Sequence, residues 1–347
     1  MSHKTWTNLK PYPKQSQRIQ NRKWPALFAI AVALMVCAAD ALAQQPAKIP
    51  RIGYLDAVPF SSNATRSEAF RQGLRELGYV EGKNILIERR SSEGKADRLP
   101  GLAAELVRLK VDVIVSGGST ATRAAKQATS TIPIVMSQDN DPVGNGFVAS
   151  LARPGGNITG LATLRSELSG KRLELLKEIV PNVSRVVVIG TSTNPGNSQS
   201  LKETQNAAEA FGIALHRADV LAAADIEAAF QDAKKGHAEA VLVLAGPVLN
   251  SRRTEVVELA SKSRLPAIYD RREFSEVGGL LSYGTSVSEL DRRAATYVDK
   301  ILKGATPANL PVEQPTKFEL VINLKAAKQI HVTIPQKVLL KADRVIQ

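Results

Sequence analysis

The sequence predicts an α/β protein of two doubly wound parallel-sheet lobes joined by a hinge. Three observations carry that expectation. From Arg51 onward, short β-branched runs alternate with amphipathic helical stretches, the pattern of parallel sheets covered on both faces. The runs at 111–115 and 132–136 are apolar along nearly their whole length, as strands buried on both sides require. The alternation also occurs twice along the chain without any short-period repeat, which describes a pair of lobes rather than a solenoid.

The chain opens on a different kind of segment. Six Lys/Arg residues (Lys4, Lys10, Lys14, Arg18, Arg22, Lys23) precede an apolar run at 27–39, and Ala41-Leu42-Ala43 follows. That order describes a secretory signal peptide cleaved before Gln44. A membrane anchor needs about 18 or more apolar residues, and this run is shorter. Cys37 is an alternative lipidation site, although Val36 stands where such motifs want a small residue. The expected location is the periplasm, and the fold is read from Gln44.

Without residues 1–43 the chain has neither Cys nor Trp, so thiol chemistry and disulfides are excluded from the mature part. About 300 residues bury enough surface to fold on ordinary cores. The leader's six bases and one acid bring the formal charge from +13 to +8 for the remainder. Those charges are scattered: Arg89-Arg90, Arg252-Arg253, Arg271-Arg272 and Arg292-Arg293 are isolated pairs without interleaved aromatics. They read as a solvated face, and no nucleic-acid partner is expected.

Taken in order, strands are expected at 51–55, 85–89, 111–115 and 132–136. The helix expected at 64–77 carries Ala69, Phe70, Gly73, Leu74 and Leu77 on one face, with Gly78 as its stop. Helices at 99–109 and 119–128 complete the first lobe. The second repeats the pattern with strands at 183–189, 213–218, 240–244 and 266–269 and helices at 198–211, 226–235 and 254–263. Gly and Pro cluster at 153–157 and 277–279, the expected hinge crossings, and a third is expected after 307–315. The boundaries are then 44–156 plus about 285–315 for the first lobe and 157–284 for the second. The tail at 316–347 is left unassigned; its segment 335–346 reads as an amphipathic stretch.

Catalytic and cofactor motifs are missing. There is no G-x-G-x-x-G after the first strand, and Gly78 to Asn84 falls one residue short of a phosphate loop. His216, His237 and His331 lack metal-ligand spacing, and no G-x-S-x-G elbow occurs. Ser92-Glu93-Gly94-Lys95 matches S-x-x-K without that motif's companions. No enzyme, cofactor or metal is expected.

What remains is polar residues at the carboxyl ends of strands, where open α/β sheets bind ligands. Asp56, Ser61 and Ser62 follow the first strand. Gly118, Ser119 and Thr120 open a helix whose free N–H groups suit a carboxylate, although a Ser cap on a tight turn explains the same residues. Asp139 and Asp141 suit an ammonium group, or turn chemistry before Pro142. Thr191, Asn194, Pro247, Tyr269, Asp270 and Glu273 occupy the corresponding places in the second lobe, and Tyr283 stands beside a hinge.

Several strings then carry a resemblance: FRQGLRELGYVEGKNI at 70–85, Asp141-Pro142-Val143, LARPGGN at 151–157 with Thr159-Gly160, KRLELL at 171–176, and 311–324. From about Arg51 to its end the chain resembles substrate-binding proteins of ABC transporters, in the group that includes tryptophan/tyrosine-type binding proteins. The resemblance implies a type I periplasmic binding fold, a small ligand held between two lobes that close on a hinge, and inner-membrane permease and ATPase subunits as partners. It implies no particular ligand; an amino-acid-like or carboxylate ligand and a monomeric state are the expectations. A periplasmic sensor that shows its closed form to a membrane receptor is the alternative function.

Overall fold

In a computed structural model, residues 48–347 are described; the expected leader, its expected cleavage point and Cys37 lie outside the described residues. Strand β1 (Arg51–Asp56), helix α1 (Ala64–Glu76), β2 (Leu86–Ser91), α2 (Leu99–Arg108), β3 (Val113–Gly117), α3 (Ser119–Ala128) and β4 (Ile134–Asp139) alternate, and β5 (Ile158–Ala162) follows. They form one five-stranded parallel sheet of order β2-β1-β3-β4-β5. Every residue of β3 and β4 is buried, as the unbroken apolar runs predicted.

The second lobe begins with α4 (Leu168–Ile179), β6 (Arg185–Gly190), α5 (Asn197–Phe211), β7 (Ala214–Asp219), α6 (Asp225–Lys235) and β8 (Ala240–Val243). It continues through α7 (Pro247–Ser251), α8 (Arg253–Lys262), β9 (Ala267–Tyr269), α9 (Arg272–Glu276) and β10 (Leu281–Gly284). The chain then returns to the first lobe with α10 (Val287–Leu302). It crosses again to add β11 (Glu319–Asn323), α11 (Leu324–Gln329), α12 (Gln336–Leu339) and β12 (Arg344–Ile346) to the second. The seven-stranded order is β12-β11-β10-β9-β8-β6-β7, with only the β10–β11 pair antiparallel.

Each sheet has apolar clusters on both faces. One face of the first carries Phe70 and Leu74 of α1 together with Leu290, Ala294 and Val298 of α10; the other carries Leu99, Leu106 and Ala125. Leu173 and Leu176 of α4 pack on one face of the second sheet, and Phe230, Val256 and Phe274 on the other. Two α/β lobes with mainly parallel sheets are therefore the architecture.

Two of the three crossings lie elsewhere than the glycine clusters suggest, and the third follows 307–315 as expected, between Glu313 and Glu319. The 153–157 segment leads into β5, which still pairs with β4, so the first crossing comes after Ala162. Thr159-Gly160 interrupts the apolar run there, which hid the strand. The 277–279 turn connects α9 to β10 within one sheet, and the second crossing comes after Gly284. The tail belongs to the second sheet: 335–346 is no continuous amphipathic helix but one short turn of helix followed by β12, parallel to β11.

Candidate functional site

In each sheet the strand order reverses once, between β1 and β3 in the first and between β6 and β8 in the second. At such a point the loops leaving neighbouring strands diverge and open a crevice beyond the carboxyl ends. Ala57, Val58 and Gly117–Ala121 border that crevice from the first lobe; Asn194, Ala245, Gly246 and Pro247 border it from the second. Between them lies a cleft cavity of about 30 Å³.

The lobes touch across it. Thr120 Oγ1 donates to Asn194 Oδ1 at 2.9 Å, and Asn140 Nδ2 donates to the carbonyl of Pro195 at 3.4 Å. Gly118, with φ +118°, turns the chain from β3 into α3 in a conformation that a side chain would disfavour. That turn points the start of α3 at the cleft. Ser119 is buried there and accepts from the Asn140 backbone N–H at 3.3 Å.

Three guanidinium groups border the cleft: Arg66, Arg165 and Arg271, each at most 5 % exposed. Arg66 comes from α1. Its Nε donates to Asp291 Oδ2 of α10 at 2.7 Å, Tyr54 OH donates to Asp291 Oδ1 at 3.0 Å, and Asp56 Oδ2 stands 4.0 Å from Nη1. Among the described residues neither Nη1 nor Nη2 has a hydrogen-bond partner. Burial pushes the Asp56 carboxyl up despite Arg66, and raises the Tyr54 hydroxyl well above its ordinary value.

Arg165 lies on the first crossing. Its Nη1 donates to Asn140 Oδ1 at 2.9 Å, its Nη2 to Gln138 Oε1 at 2.7 Å, and its Nε sits 2.8 Å from Asp270 Oδ2 at the end of β9. One side chain thus holds the end of β4 in one lobe and the end of β9 in the other. Burial, and then the charge of Arg271, bring its guanidinium down to about 9, still protonated at neutral pH. Burial raises the Asp270 carboxyl, but Arg271, Arg165 and Arg172 outweigh it and leave the group below its usual range. Arg172 of α4 donates to the carbonyls of Tyr283 at 2.7 Å and Arg165 at 3.0 Å, and Thr285 Oγ1 donates to the Thr163 carbonyl at 2.8 Å. The first two crossings are fastened to each other.

Of the residues expected at the site, Gly118, Ser119, Thr120, Asn194 and Pro247 border the cleft. Asp56 and Asp270 lie one layer behind it, against the guanidinium groups. The others do not border it. Ser61 is exposed and Ser62 half-buried on a short 3-10 turn. Asp139 accepts from the Asp141 N–H and from Asn145, and Asp141 caps the Gly144 N–H, so this pair organises its own loop as Asx turns do. Thr191 donates to the Val220 carbonyl. Tyr269 stacks on Phe274 at 4.6 Å inside the second core, and Tyr283 tilts against Phe318. Glu273 lies on α9, outside the cleft border.

Sequence reasoning missed Gln138, Asn140, Asn250 and all three arginines. Gln138 and Asn140 flank a residue that was singled out, and their placement at a strand end was the available signal. Arg271 reads in sequence as part of a solvated Arg pair, whereas the fold buries it. Among the described residues no group of His, Cys, Asp and Glu gathers as a metal would require, and no helix is long and apolar enough to cross a membrane.

A family model described as "ABC transporter substrate binding protein" matches residues 55–346. A tyrosine-binding protein of Clostridioides difficile is 24 % identical over 283 residues, 82 % of this chain and 81 % of that one. A conserved domain protein from Vibrio cholerae superposes with a TM-score of 0.81 at 28 % identity, covering 86 % of this chain and all of that one. A Streptococcus pneumoniae domain crystallised in complex with L-Trp superposes with a TM-score of 0.79 at 27 % identity, covering 86 % and 99 %.

Proposed function

Because this chain belongs to the family of ABC transporter substrate-binding proteins, whose members bind rather than transform their substrates, we propose that it captures an amino-acid-like carboxylate solute between its two lobes by hinge closure. The proposal extends to export through a cleaved leader, a periplasmic location, and delivery of the closed form to a permease and its ATPase. The leader's basic, apolar and small-residue order supports the first two.

One observation carries the ligand reading: Arg66 presents two buried N–H-bearing nitrogens without partners at the border of the interlobe cleft. A buried donor left unmatched costs on the order of 1–3 kcal/mol, more when charged, and a ligand oxygen would supply the match. Two of the similar proteins, the tyrosine-binding protein and the domain in complex with L-Trp, have names that state a ligand carrying a carboxylate. Closure follows from the ligand favouring the state in which both lobes reach it. The cleft cavity of about 30 Å³ is far below the ~300 Å³ of ordinary small-molecule sites, so entry requires the lobes to part.

A thermal-shift screen of the purified protein against amino acids, carboxylates, sugars and nucleobases tests this. A ligand at 100 times its dissociation constant adds about 2.7 kcal/mol to stability. A saturable rise in midpoint is expected with a carboxylate, and a flat response across the folded protein and the whole panel contradicts the reading.

A further inference from the structure

We propose that the cargo is a compact organic anion of net negative charge, its carboxylate gripped between Arg66 of the first lobe and Arg271 of the second. This rests on the reading of the interlobe cleft as the ligand site and narrows the class of ligand.

The charges around the cleft are one-sided. Among the described residues its border contains three guanidinium groups, no carboxylate, no Lys and no aromatic ring. Behind it, among the described residues, Arg66, Arg165, Arg172 and Arg271 have Asp56, Asp270 and Asp291 as ion-pair partners or neighbouring carboxylates. Four cations against three anions leave one positive charge uncompensated. Asp139, the other buried carboxylate near these strand ends, spends its hydrogen bonds on the 141–145 loop and forms no ion pair with the four.

The nitrogens divide in the same way. Arg165 is engaged at Nε, Nη1 and Nη2. Arg66 Nη1 and Nη2 and Arg271 Nε are buried and have no hydrogen-bond partner among the described residues; Arg271 Nε is 3.7 Å from Asp270 Oδ1. These donors belong to residues of opposite lobes that border one small cavity. An anion between them satisfies donors of both lobes at once, which makes anion binding and closure one event. A net-neutral zwitterion would leave the excess charge in place, and its ring would meet no aromatic partner at the cleft border. A carboxylate lacking an ammonium group, or an amino acid with a second carboxylate, balances it.

The experiment compares succinate and L-glutamate with succinamide, L-tyrosine and L-tryptophan on the purified wild-type protein, by calorimetric titration and thermal shift. The two anions are expected to bind saturably, and Arg66→Gln and Arg271→Gln are each expected to weaken them roughly tenfold to a hundredfold, the range for charged hydrogen bonds. Arg66 also holds Asp291, so its variant is checked for folding by circular dichroism; should it not fold, the wild-type ligand ladder together with Arg271→Gln decides. Tight binding of L-tyrosine or L-tryptophan with the anions silent, or anion binding indifferent to Arg271→Gln, overturns the inference and leaves solute capture intact. Silence of every probe against folded protein overturns both.

Discussion

Thr120 Oγ1 donates to Asn194 Oδ1 at 2.9 Å, so the first turn of α3 in one lobe is hydrogen-bonded to the loop after β6 in the other. Both residues stand where the strand order of their sheet reverses, which is why a bond between them spans the cleft. Replacing Thr120 by Val keeps the shape and removes the donor. A neutral hydrogen bond contributes about 0.5–1.5 kcal/mol, so ligand affinity is expected to fall roughly twofold to tenfold with little change in the melting midpoint of the free protein. Titration calorimetry with the cargo checks this, and an unchanged affinity would mean that the bond plays no part in the bound state.

Arg165 is held by Gln138 and Asn140 in one lobe and by Asp270 in the other. Arg165→Met should remove the guanidinium while leaving Asp270 buried beside Arg271. Breaking a buried ion pair from one side typically costs 3–5 kcal/mol, and a loss of that order is expected in urea unfolding. The double variant with Asp270→Asn should not recover it, since Arg172 and Arg271 then lose the carboxylate beside them.

Gly73 on α1 faces α10 so closely that a Cβ there would come within 2.2 Å of the Arg292 carbonyl oxygen. Backbone cannot yield as a side-chain tip can. Gly73→Ala is therefore expected to push the two helices apart and to destabilise the first lobe by about 1–3 kcal/mol, the usual cost of overpacking. Thermal unfolding reads it, and a neutral result would show that α10 can shift without loss.

Asp139 gives a pH signature. Burial pushes its carboxyl from 3.8 up to about 6, so the folded protein holds this proton more tightly than the unfolded chain. Its contribution to stability is fully present below about pH 4 and is lost as pH rises through 6. Asp139→Asn stays neutral at every pH and keeps an Oδ1 acceptor for the Asp141 N–H and for Asn145. It should be more stable than the wild type at pH 7, by on the order of 2–3 kcal/mol at most, and the difference should shrink toward pH 4. Urea titrations of both proteins at several pH values measure it; a difference independent of pH contradicts the assignment.

Much of the fold was legible because parallel sheets impose a local signature. A strand covered on both faces has to be apolar throughout, and β3 and β4 are. Helix α5 ends at Gly212 in a left-handed conformation, where a glycine stop was expected. β5 escaped notice because Gly160 breaks its run, and the tail was misread because β12 is recognisable only by the neighbour it pairs with. Part of the cleft was equally legible: polar residues that follow strands at a switch point, such as Ser119, Thr120 and Asn194, lie where open sheets bind ligands.

The sequence by itself determined the alternating strands and helices, the division into two lobes, the absence of thiols beyond Cys37, and the family strings that membership of the substrate-binding proteins bears out. Tertiary structure alone decided which charges are buried. An arginine in a helix or beside another arginine reads as solvated, because solvation is the lowest-energy state of a charge that has no partner nearby in the chain. Arg66 becomes a buried group at the cleft only because Asp291, 225 positions later, returns on α10 to meet it. Arg165 and Asp270 likewise meet only when the crossings bring two sheet ends together. Pairing across such distances is a property of topology, and no local pattern encodes it.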